Sequence, residues 1–477
     1  MPRGRRQTGA TGAERAEAVL GERARVDALW QAGVPVVALF LLVFAVIAHP
    51  SPALSTAFAA PASPEAGATG VASCAGSTCH GREEPTGAVV RLDELKIWQD
   101  ESSPAGAHSR AWRVLGEPRA RAIAARLGIG DPQSAAVCTG CHVGAGAARP
   151  SEGVGCEGCH GNAANWLASH YAVGGSHANN VARGMRALDQ PAVRAAICLD
   201  CHYGSDKSGQ FAEHRIMAAG HPRLSFELDL FSTLEKHWNE DADYAQRKRA
   251  PSAATLWVVG QAMALDRALG LFANDRLANR GMFPELYFFD CQSCHRRISD
   301  EPSYRPSSPT NPGRDTPIGT VPFQDENMIM LAAAARVGAP DLASRFVADS
   351  IAFHKAITVS RPAALAAAAR LRSDARALAD RLSGIGTREV FAMIAALSDT
   401  VTAPRFTDYE GSVQAVMAVD TLLSSLSDAG AVSRADVARI RPSIDRAYAA
   451  THDPNAYNPL AFRTALRTAT NAIGGLR

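Results

Sequence analysis

Four segments of the chain read C-x-x-C-H: Cys138-Thr-Gly-Cys141-His142, Cys156-Glu-Gly-Cys159-His160, Cys198-Leu-Asp-Cys201-His202 and Cys291-Gln-Ser-Cys294-His295. A fifth, Cys74-Ala-Gly-Ser-Thr-Cys79-His80, has the same ends with two further residues between the thiols. These five segments use all ten cysteines of the 477-residue chain. The pattern is the attachment signature of c-type haem. Two thiols a short turn apart add to the two vinyl groups on one porphyrin edge, and the following imidazole becomes the proximal iron ligand. Four residues between the thiols serve equally if the loop bulges. Zinc ribbons need no histidine after each CxxC knuckle. Disulfides, which exported proteins form, leave the histidines unexplained. With 14 histidines in the chain, five chance placements after a Cys pair have a probability on the order of 10⁻⁸. The expectation is five covalent haem c groups, attached through Cys74, Cys79, Cys138, Cys141, Cys156, Cys159, Cys198, Cys201, Cys291 and Cys294. Their proximal ligands are His80, His142, His160, His202 and His295.

The N-terminus reads as an address. Residues 1–27 carry six arginines against four acids, and Val34 to Ala48 holds no charged or polar side chain. Extended back to Ala28, the apolar stretch is long enough to span a bilayer, although Pro35 weakens the helix. The alternative is a secretory signal with a small-residue cleavage pattern at Ala57-Phe58-Ala59. Either leaves the positive residues behind and sends the remainder across the inner membrane. The expected location is periplasmic, as a soluble protein after signal cleavage or as an anchored one. The formal net charge of +2 argues against a basic nucleic-acid binder.

Composition marks the boundaries that follow. Residues 1–60 are the signal or anchor, and 61–73 continue a linker rich in Pro, Ala, Ser and Gly. Residues 74–300, dense in Cys, His and Gly with short and broken hydrophobic periods, form the pentahaem domain. Residues 301–322 are Pro-rich. Residues 323–477 read as an all-helical domain, with alanine-rich amphipathic helices at 325–337, 342–357, 362–382, 388–399, 412–426 and 434–450. The fold class is mainly α: a multihaem domain with little regular sheet, followed by helices. Aromatics are only 6% of the chain, which fits a core supplied largely by porphyrin.

Between about 74 and 220 the sequence resembles the multihaem c-type cytochromes that accept electrons from hydroxylamine oxidoreductase. The resemblance rests on Trp98, Ala107-His108, Cys138-Thr-Gly-Cys141-His142-Val143-Gly144, Gly153-Val154-Gly155-Cys156-Glu157-Gly158-Cys159-His160-Gly161 and Ala168-Ser169-His170. That group has four haems, ordinary spacing at the first site and no helical extension of this size. The resemblance implies that His170 caps the haem of His80 and His108 that of His160, and that the second haem, on His142, has an open iron face. By a thinner match, His177 caps the haem of His202.

Outside the resemblance, His214 and His221 lie seven residues apart, on one face if helical. They are candidates for the haems of His142 and His295. His354 shares a face with Phe346, Val347 and Ile351 and reads as a core histidine, while His237, beside Trp238 in a charged stretch, reads as exposed. Met217 and Met282 read as core filler. Glu157, between two thiols, is expected to face solvent or a propionate-binding arginine.

Irons with two histidine ligands have no free site for substrate, so the expected function is electron transfer between redox partner proteins, with inner-membrane association through the N-terminal helix. The other reading is an oxidoreductase acting on a small nitrogen or sulfur species at one open haem.

Overall fold

The computed structural model describes residues 67–85, 91–223, 225–239, 250–279, 285–295, 317, 320–404 and 406–477. The N-terminal address, part of the linker after it, His49, Met282 and most of the Pro-rich stretch lie outside them. The protein is mainly helical, in keeping with the sequence pattern. Among the described residues the one strand-like feature is an antiparallel bridge between Phe289 and Phe323.

The helices of ten residues or more are α1 Pro118–Leu127, α2 Pro191–His202, α3 Ala253–Ala273, α4 Glu326–Gly338, α5 Pro340–Ile357, α6 Arg361–Arg381, α7 Thr387–Val401, α8 Tyr409–Asp428, α9 Arg434–Thr451 and α10 Pro459–Gly474. Six of these correspond to the helices expected after residue 323. Their starts follow local chemistry: Ser360, Asp408 and Ser433 each accept a backbone N–H of the first turn, a cap of about 1 kcal/mol. Helix α10 was not among the expected elements. Its signals are present nonetheless: Asn458 caps it, Pro459 opens it, and Phe462, Leu466, Ala469 and Ile473 form its buried stripe.

The larger correction is α3. The sequence between Cys74 and Asp300 reads as short, broken periods, yet 21 residues of it form one helix. Helix α3 is buried around most of its circumference, with Trp257 and Phe272 wholly enclosed. It therefore lacks the polar face that periodicity analysis looks for. It is also long and apolar enough to cross a membrane, but here it is a core helix.

Helix α3 joins the two halves of the sequence. One side packs against α2, where Ala195 and Leu199 meet Leu256 and Ala264. Its other sides pack against α4, α6 and α8. Two successive charged residues repeat this division. Asp266 accepts from Arg372 Nε of α6 at 2.8 Å, whereas Arg267 donates to Asp200 of α2 at 2.7 Å. Gly260 lets the Leu228–Leu234 helix approach, since a Cβ there would lie 2.5 Å from Leu228 Cβ. One hydrophobic core consequently runs from Phe211 through α3 into the C-terminal helices. His354 belongs to it: it is 2% exposed, and its Nδ1 lies 2.9 Å from the Ser350 carbonyl oxygen.

A buried charge cluster ties the same halves together. Arg223 Nη1 donates to Glu410 Oε1 of α8 at 2.5 Å, and Nη2 to Glu326 Oε1 of α4 at 3.2 Å. Arg223 Nη1 also lies 3.2 Å from Cys291 Sγ. Burial pushes the Glu410 carboxyl up to about 7 and raises that of Glu326, against the pull of Arg223. Removing one partner of such a buried set leaves uncompensated charge. Arg223→Ala should destabilise the haem-loaded protein by about 3–5 kcal/mol at neutral pH, read by denaturant unfolding. Acids whose folded values are raised contribute their full stability below the unfolded value of about 4.3 and lose it as pH rises through the folded value. Without the guanidinium both carboxyls rise further, so the deficit should be larger at pH 8 than at pH 5.

Candidate haem site

Each standard motif lies at the end of a short helix: Ala136–His142, Cys156–His160, α2 and Gln292–His295. Cysteines three apart on a helix share a face, so both thiols point one way and the histidine closes the turn. The first motif turns differently. His80 N donates to Cys74 O at 3.0 Å and Gly81 N to Gly76 O at 3.1 Å, which absorbs the two extra residues in a bulge. Gly81 is required there, because a Cβ would lie 2.0 Å from the Ala75 carbonyl oxygen. None of the ten cysteines is in a disulfide.

Four motif histidines face a second histidine ring at nearly one spacing. His80 stands opposite His170 at 6.0 Å between ring centroids, His202 opposite His108 at 6.0 Å, His160 opposite His237 at 6.4 Å and His295 opposite His214 at 6.1 Å. Two metal–nitrogen bonds of about 2.0–2.1 Å plus a ring radius of roughly 1 Å on each side give about 6 Å. The donor set and its spacing therefore fit two imidazoles on opposite faces of one iron.

The pairing corrects three expectations. His108 stands opposite His202 and not His160. His237, read as exposed, faces His160: the Leu228–Leu234 helix packs on α3, and the chain after it turns back so that Trp238 lies under Arg194 of α2. The local charges that suggested a surface, Glu235 and Lys236, say nothing about this long-range packing. His177, expected opposite His202, is instead 3.2 Å from Asp189 Oδ1. The remaining second rings lie where a ligand was sought: His170 opposite His80, and His214 opposite His295.

His142 differs. Among the described residues no ring stands opposite it at such a spacing. Its Nδ1 lies 2.7 Å from the Ala111 carbonyl oxygen. Burial holds His142 below the ordinary histidine range, and the charge of nearby His221 adds to this. His221, with its Nδ1 2.8 Å from the Pro222 carbonyl oxygen, lines a small cavity with Met217, His202 and Tyr287. Arg126 of α1 holds this turn by donating to the Ala219 carbonyl oxygen at 2.8 Å.

The outer nitrogens of the rings have varied partners. His80 Nδ1 lies 3.0 Å from Glu94 Oε2, and His237 Nδ1 3.0 Å from Glu235 Oε1. Asn180 approaches His170 Nδ1 at 3.4 Å, with the Trp166 ring edge on the same imidazole. Hydrogen bonds to the outer nitrogen fix ring orientation and raise its basicity. Sequence reasoning missed Glu94 and Glu235, which no motif marks.

Glu157 also corrects its expectation. It is 3% exposed and accepts backbone N–H groups from Gly70 at 2.7 Å, Thr69 at 3.0 Å and Ala163 at 2.7 Å. Lying between the thiols on its helix, it points inward and ties the approach to the first motif onto the third.

Residues 73–161 match the family model described as Cytochrome c554 and c-prime. The chain carries a c-type cytochrome segment. The match covers three of the five attachment motifs, the bulged first one included, and brings covalent haem c and electron transfer with it. No curated protein and no solved structure matches the chain.

Within this cytochrome segment Glu157→Ala would leave three backbone donors without their acceptor. It should cost about 3 kcal/mol, measured by denaturant unfolding of the haem-loaded protein. Glu157→Gln, which keeps one acceptor oxygen, should cost less.

Proposed function

We propose that the protein is an exported pentahaem cytochrome c that carries electrons between periplasmic redox partners, and that it is related to the tetrahaem acceptors of hydroxylamine oxidoreductase. The observation that carries this reading is the set of four histidine ring pairs at 6.0–6.4 Å, each joining a motif histidine to one from elsewhere in the chain. Covalent haem supplies a one-electron Fe(III)/Fe(II) couple at each site. The chain's own residues would hold two imidazoles on each of four irons, which would leave no position for substrate and suits transfer over reaction. The arginine-rich start and the apolar run after it support export, with the segment either cleaved or kept as an inner-membrane anchor.

A second reading is favoured by one residue. His142 has no ring opposite it among the described residues, so its iron face is the candidate for binding a small nitrogen or sulfur species. His221, whose charge acts on His142, is the candidate side chain to close that face.

Intact mass tests the count: five haems are expected, and a mass with four would remove the Cys74/Cys79 site. Single replacements test the pairs. Ala at His108, His170, His214 or His237 should retain every haem and turn one low-spin centre high-spin, while His177→Ala should change no haem spectrum. A His237→Ala protein with an unchanged spectrum would remove the His160–His237 pair. A high-spin signal in the unaltered protein would favour the open-haem reading.

A further inference from the structure

Two haems of this reading share one carboxylate. Glu235 Oε1 lies 3.0 Å from His237 Nδ1 and 3.9 Å from His108 Nδ1. Those two rings stand opposite motif histidines of different haems, His160 and His202. The carboxylate is at the outer nitrogens, away from the position each ring would offer an iron. It is largely enclosed, with 24% of its side chain exposed, so water screens it only in part.

We propose that Glu235 is a positioning residue that sets the potentials of two haems together, the one attached at Cys156/Cys159 and the one attached at Cys198/Cys201. The inference rests on the pentahaem reading and deepens it. A carboxylate accepting an axial imidazole's outer N–H strengthens that ring as a donor. A fixed negative charge near an iron favours Fe(III) over Fe(II), and hydrogen bonding and local charge are among the means by which a protein tunes haem potential. For His237 both effects operate. For His108, at 3.9 Å, the charge operates without a full hydrogen bond. Both shifts have the same sign, so the two haems are lowered as a pair. Glu94 hydrogen-bonds His80 and reaches His237 through its charge only, which supplies an internal comparison of a carboxylate whose hydrogen bond serves one haem.

The test is a reductive titration of the full-length, haem-loaded protein at one pH, with haem signals resolved by paramagnetic NMR. Glu235→Gln keeps an acceptor and removes the charge. Two haems should move to higher potential while the others stay, all haems being retained and the ring pairs low-spin. Glu94→Gln should move the haem of His80 most, with a smaller shift at the haem of His160 through the charge on His237. Glu235→Asp, which keeps the charge but draws it back by one methylene, should move the same two haems less and carries the test if the Gln variant does not assemble. A Gln variant that shifts no haem, or only one, overturns the shared role. So does one whose haem shifts are spread evenly over all five. Failure of the underlying reading is separable, because it appears in the unaltered protein as a missing haem by mass or as a lack of bis-histidine low-spin signals.

Discussion

The spacing between paired imidazoles is the constraint on which the rest of the N-terminal half depends. An iron held by two histidines requires rings on opposite faces, and in each of the four pairs the rings come from stretches far apart in sequence. His80 needs His170, and His202 needs His108. Each pair closes a long loop, a step that costs entropy and is offset only by a strong local interaction. Such an interaction would explain how a region with short helices and many turns holds one shape. Attachment by two thioethers next to the proximal histidine fixes half of each pair locally. The other half has to be delivered by the fold.

That delivery depends on the C-terminal half. The His237 segment follows the Leu228–Leu234 helix, which lies on α3 at Gly260 and has Leu228 in the cluster beneath the fourth motif. Helix α3 in turn is held by α4, α6 and α8. At the fifth motif, Arg223 reaches from the turn after His221 to Glu326 and Glu410, with Cys291 against the same guanidinium. The helices after residue 323 are thus continuous with the core that positions His237 and the Cys291 site. Their packing and the haem sites are linked through α3 and Arg223.

What could be read in the sequence follows from range. The motifs were legible because attachment chemistry is local and needs its residues at fixed offsets. The C-terminal helices were legible because each carries an apolar stripe and most carry a cap. Helix α3 was not, since a helix enclosed on nearly every side has no stripe. The facing rings were partly legible: His170 and His214 emerged from resemblance and spacing and stand opposite motif histidines, while His237 was obscured by charged neighbours and His108 stands opposite His202 where the resemblance implied His160. Which ring meets which iron is decided by how distant segments cross, and no local pattern records that. Glu157 failed for a related reason. Its neighbours named a solvent-facing loop, but its helix turned it toward the backbone of residues 69 and 70.

The partners of the outer ring nitrogens make the sites unequal. His80 and His237 have carboxylates, whereas His142 has the neutral Ala111 carbonyl. A carboxylate favours the ferric iron more than a carbonyl does, so on the reading proposed above the surroundings would set these sites at different potentials. Exposure differs along the chain as well. Cys79 and Cys294, in the first and last motifs, are exposed, and the other eight cysteines are partly buried. Electrons exchange with a partner most readily where a haem edge reaches the surface. On the pentahaem reading proposed above, the first and last attachment sites are the candidates for exchange with partners. The Glu235 carboxylate stands instead between His108 and His237, which face motifs whose cysteines are all partly buried, so the tuning proposed for it would act on sites whose thiols do not open to the surface.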